Sequence, residues 1–73
     1  MLIKLTKFYW DESPTPVLIG TESIIRVEGI LLKHSNGRSH WVTEIESRGA
    51  MVTTTWVLES VEEIHELTTN PLN

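Results

Sequence analysis

The chain has 73 residues, 40% of them hydrophobic and 22% charged, with a formal net charge of −4 and no cysteine. A domain of this size buries only about 60% of the surface its unfolded form exposes, its charge argues against a general polyanion binder, and the missing cysteines exclude disulfides, thiolate metal sites and a thiol nucleophile. No apolar run approaches the ~18–20 residues of a membrane helix, and the opening Met1-Leu2-Ile3-Lys4-Leu5-Thr6-Lys7 alternates where a secretory leader carries an unbroken apolar block, so a cytoplasmic location is expected.

In chain order, Leu2 to Trp10 reads as a strand, with Ile3 and Leu5 interleaved by polar residues. The alternation breaks at Phe8-Tyr9-Trp10, and successive strand side chains point to opposite faces. Either both faces are covered there or an aromatic meets a partner. Asp11 to Pro16, with two prolines, is the clearest turn, and Val17-Leu18-Ile19 returns antiparallel. Gly20 to Ser23 is a second turn. Ile24 to Lys33 is the next strand, in which Gly29 suggests a bulge or bend. Asn36-Gly37 signals a type I′ hairpin, which needs positive φ at both central residues. Arg38 to Ser47 follows, then a tight turn at Arg48-Gly49, then the strand-forming run Met51 to Leu58, whose Trp56 is the expected core residue.

The character changes at Ser60-Val61-Glu62-Glu63, which fits a capping box with Ser60 as N-cap and Glu63 at the third helical position. Val61, Ile64 and Leu67 form one apolar stripe, and Asn70-Pro71 marks the stop. A helix of about two and a half turns does not hold itself in water, so it must dock on the sheet. The expected fold is α+β: a small twisted antiparallel sheet of four to five strands with one C-terminal helix, in a single domain. Ordering costs of about 1.5 kcal/mol per residue nearly cancel the apolar burial of so short a chain. With no disulfide available, the remaining remedies are a metal or self-association, and an oligomer is expected.

Three blocks carry a resemblance. Met1-Leu2-Ile3-Lys4-Leu5-Thr6-Lys7, Gly20-Thr21-Glu22-Ser23-Ile24-Ile25-Arg26-Val27-Glu28 and Val57-Leu58-Glu59-Ser60-Val61-Glu62-Glu63-Ile64 occur in the order seen in the flagellar FlbD family and its FlbD-like relatives. The sequence resembles that family at both ends and in the middle. The aromatic triplet and the Asp11–Pro16 stretch stand where the family has a short, glycine-containing turn. The likeness implies a β-sheet with a terminal helix and a non-enzymatic accessory or interaction role, and it carries no catalytic residues. The opening block and Val17-Leu18-Ile19-Gly20 are also similar to the start of the CsrA family, dimers that bind messenger RNA. The basic stretch of that family's RNA contact corresponds here to Val57–Ile64, which is acidic and has no arginine.

The candidate chemistry is sparse. His34, His40 and His65, with Glu62 or Glu66, are the conceivable metal ligands, but no metal-binding spacing is present and no HExxH is completed after His65-Glu66. No serine or threonine lies in a nucleophile elbow, and the acid pairs Asp11-Glu12 and Glu62-Glu63 suit a turn and a helix start. Six bases against ten acids leave one conceivable nucleic-acid stripe, Arg38, Trp41 and Arg48. The expectation is therefore no enzyme activity, no cofactor, no bound metal and no nucleic-acid partner, with a CsrA-like RNA-binding regulator as the alternative function. The aromatics are the lead: Phe8, Tyr9, Trp10 and Trp41 are the expected interface, through which the chain meets a second copy or an unidentified protein.

Overall fold

The computed structural model describes residues 1–69 as five strands, a single 3-10 turn (Thr21–Ser23) and one α-helix: β1 (Leu2–Lys7), β2 (Thr15–Gly20), β3 (Ile24–Lys33), β4 (Ser39–Arg48), β5 (Val52–Val57) and α1 (Val61–Thr69). The strands form one antiparallel sheet in the order β2-β1-β5-β4-β3. The chain is thus α+β, a five-stranded sheet followed by a C-terminal helix. The expected stop at Asn70-Pro71 lies outside the described residues.

Two sub-sheets meet at one point. Hairpin β1–β2 and meander β3–β4–β5 share the pair Lys7 opposite Val57. Two backbone bonds flank it: Phe8 N–H to the Trp56 carbonyl at 2.8 Å and Leu58 N–H to the Thr6 carbonyl at 2.9 Å. The side chains between the sub-sheets make the core: Ile3, Leu5 and Ile19 from the hairpin, Ile45 and Val57 from the meander, and Ile64 from α1. Where the β1–β5 ladder runs out, Glu59 takes over, its carboxylate accepting from Thr6 N–H and Thr6 Oγ1, each at 2.8 Å. Glu59→Ala leaves that half-buried N–H without its partner. The expected loss is about 1.5–3 kcal/mol of stability, the usual range for bonds to a charged acceptor, read from urea unfolding.

The capping box forms as the sequence dictates. Ser60 Oγ accepts from Glu63 N–H at 3.1 Å, and Glu63 Oε1 accepts from Ser60 N–H at 3.0 Å. The stripe is narrower than expected: Ile64 is buried, while Val61 and Leu67 stay exposed.

Four expectations are corrected. β1 ends at Lys7, so Phe8, Tyr9 and Trp10 open the following loop. The register shift in β3 falls between Ile24 and Arg26, and Gly29 sits in regular pairing opposite Thr43. In the β3–β4 turn only Gly37 has positive φ, at 92°. Gly37 N–H donates to the His34 carbonyl at 3.0 Å, and His34 N–H donates to the Arg38 carbonyl at 2.8 Å. That is a type I turn closed by a left-handed glycine, and no type I′ turn. Lastly, Trp56 is 37% exposed, and its neighbour Val57 fills the core instead. Adjacent strand positions face opposite ways, so one of the two had to point out.

Candidate interaction surface

The sheet has two unlike faces. Strands β3 and β4 are ten residues each, about 33 Å long, whereas β1, β2 and β5 have six. The hairpin end of β3–β4 therefore overhangs the core. On the face opposite the core, the loop after β1 folds back over this overhang. Phe8, 8% exposed, lies beside His40 with ring centroids 4.8 Å apart and takes an edge-on Trp10 at 5.2 Å. Val42 is buried on this same face. Trp10 continues outward to His34 at 5.0 Å and beneath the Arg38 guanidinium at 5.5 Å. Arg38 also holds Asp11 at 2.8 Å. The aromatic triplet is thus largely occupied within its own chain: Phe8 is sealed, and Trp10 is half-buried. Tyr9 is half-buried with the Lys7 ammonium 5.4 Å from its ring centre.

Two ion pairs outside the core carry the resolved carboxylate shifts. The Arg38 guanidinium holds the Asp11 carboxyl below its ordinary value, and the N-terminal ammonium does the same for Glu22. A depressed carboxylate contributes stability above its unfolded pKa and loses it as pH falls through the folded one. Arg38→Ala should accordingly move the Asp11 midpoint upward toward the ordinary range in an NMR titration.

On the core-side face, the overhang is bare. Trp41 is 69% exposed and Leu31, directly opposite on β3, is 40% exposed. The two form a non-hydrogen-bonded pair: His34 N–H bonds across to Arg38, so the even-numbered β3 residues point their backbone at β4 and Leu31 points its own away. Side chains in such pairs stand closest. Of the four residues expected at an interface, the structure therefore brings Phe8, Tyr9 and Trp10 together on one face and sets Trp41 apart on the other, with Leu31. Leu31 was not singled out by the sequence reading, yet the turn centred on Asn36 places residues 31 and 41 at equal distance from it.

Two clefts remain. One of about 260 Å³ is lined by Lys7, Phe8, Tyr9, Trp10, Thr54 and Trp56, whose indole N–H reaches Glu44 at 3.3 Å. The other, about 330 Å³, lies between α1 and β3, with Ile24, Val27, Val61 and His65 in its wall. Neither gathers a catalytic set: among the described residues no hydroxyl is hydrogen-bonded to an imidazole nitrogen, and no three His, Asp or Glu side chains are placed to share a metal ion. His34 and His40 are engaged with Trp10 and Phe8, while His65 lies by the other cleft. Arg38, Trp41 and Arg48 do not form a stripe, since Arg38 is paired with Asp11 and Arg48 closes the opposite end of β4. Among the described residues no helix is long and apolar enough to cross a membrane. No family model matches the sequence, and no curated protein or solved structure was found to match it.

Proposed function

We propose that the chain is a non-enzymatic, FlbD-like interaction protein of the cytoplasm whose first partner is a second copy of itself. The observation that carries this reading is the bare Leu31–Trp41 pair on the overhanging hairpin. Large exposed apolar groups side by side on neighbouring strands are what an interface core is made of, and tryptophan is among the residues most enriched where binding energy concentrates. Size supports it: six clustered buried residues are a small core for a 73-residue chain, and association is one of the remedies open to a sequence without cysteine. The neighbouring strand edge, β3, has no strand partner on that side among the described residues and supplies backbone groups to pair. Light scattering at micromolar concentration tests the reading. A species of twice the 8.3 kDa chain mass is expected, and a single-chain mass would overturn it.

A further inference from the structure

Resting on that reading, the geometry points to one arrangement: we infer that two copies pair antiparallel along β3 about a two-fold axis at Leu31, joining both sheets into one. Four observations converge on this register.

First, the edge is ready. Because His34 bonds to β4, the alternation of an antiparallel ladder turns the N–H and C=O of Gly29, Leu31 and Lys33 toward open solvent. An axis at Leu31 lets Leu31 exchange both backbone bonds with its own copy, and Gly29 with the partner's Lys33.

Second, the regular part of the edge is limited. The shift between Ile24 and Arg26 disrupts the strand at its start, which leaves Arg26 to Lys33 in unbroken register. The other edge, β2, is shorter and carries Pro16, a residue that blunts strand edges.

Third, the side chains match. Leu31 meets the partner's Leu31 with a Trp41 flanking on each side, so the bare pair becomes the centre of an apolar row of four. On the opposite face, Ile30 stands across from the partner's Leu32, twice. Both are half-buried before pairing.

Fourth, the charges agree. Glu28, which is ion-paired with Arg26 in its own chain, falls opposite the partner's His34, whose Nδ1 accepts from Asn36 N–H at 3.2 Å and so leaves Nε2–H as the ring's donor. Lys33 falls opposite glycine. An axis at Glu28 would oppose two glutamates, and an axis at Ile30 would set Arg26 against histidine and Val27 against lysine. An axis at Val27 would pair Arg26 with Glu28 but would run into the irregular start of the strand.

The native chain has no cysteine, so single thiols report without background. Ile30→Cys and Leu32→Cys chains, mixed in equal amounts under mild oxidation, should yield a linked species of twice the chain mass, several-fold more abundant than either variant gives alone and lost on reduction. Circular dichroism confirms that each variant folds. Leu18→Cys, on the β2 edge, should not link. If the wild type is a dimer but Leu18→Cys or Val27→Cys links in preference, this register is wrong and self-association stands. A wild type of single-chain mass at all concentrations would remove both.

Discussion

Phe8→Ala should lower the free energy of unfolding by about 3–5 kcal/mol, the range for truncating a buried aromatic. Phe8 does not belong to the main core cluster, so its removal looks tolerable on paper. The geometry argues otherwise. Phe8 is the anchor by which the loop after β1 covers the second face of the meander, touching His40 and Trp10 above a buried Val42. Its own N–H is one of two backbone bonds that flank the single junction between the sub-sheets. Without the ring, Trp10 loses its inner neighbour and the His34 and Arg38 contacts lose their base. Domains of this kind have a total stability of about 5–15 kcal/mol, so a large fraction of the variant should be unfolded in modest urea. A shift below about 1 kcal/mol in equilibrium urea unfolding would mean that the second face is open to water in solution.

Trp41→Ser should do the reverse: leave the fold and remove the assembly. Trp41 is 69% exposed in the single chain and lies beyond the core, so unfolding of the dilute monomer should change by no more than about 0.5 kcal/mol. Each dimer then loses two tryptophans, one flanking either end of the central Leu31 pair, at a combined cost of about 2–4 kcal/mol of binding. That corresponds to a roughly 30- to 700-fold weaker dimer, read by sedimentation equilibrium. Unfolding measured at high concentration, where assembly adds to stability, should separate wild type from variant, and the difference should vanish on dilution. Equal dissociation constants for the two chains would take the interface away from the core-side face.

Much of this fold was legible from residues alone. The strand runs, the Ser60–Glu63 capping box and the Asn36-Gly37 reversal each rest on local chemistry, and each appears where that chemistry places it. What stayed hidden was tertiary. Trp56 and Val57 are both strand formers, and only the junction with Lys7 decides that Val57 points inward. For the aromatic triplet, covered faces and a partner contact are equally open from residues alone, because nothing local reveals that the loop after β1 folds back onto the β3–β4 hairpin. The register shift at Ile25 was assigned to Gly29, since glycine is the usual residue of an irregularity, whereas the pairing with β4 places it three to five residues earlier. The surface itself was half legible. Trp41 could be singled out as a large aromatic, but its partner Leu31 emerges only once the turn is centred and the strands are counted outward.

Amide hydrogen exchange along β3, followed residue by residue across a dilution series, tests the central claim most directly. Gly29, Leu31 and Lys33 direct their N–H groups at open solvent in a lone chain, whereas Ile30 and Leu32 bond to β4 at every concentration. The account predicts that at high concentration the amides of Leu31 and Lys33 are protected as well as those of Ile30 and Leu32, and that dilution releases the odd-numbered set alone. Exchange of Leu31 and Lys33 at the rate of a free peptide, unchanged from the most dilute sample to the most concentrated, would contradict it.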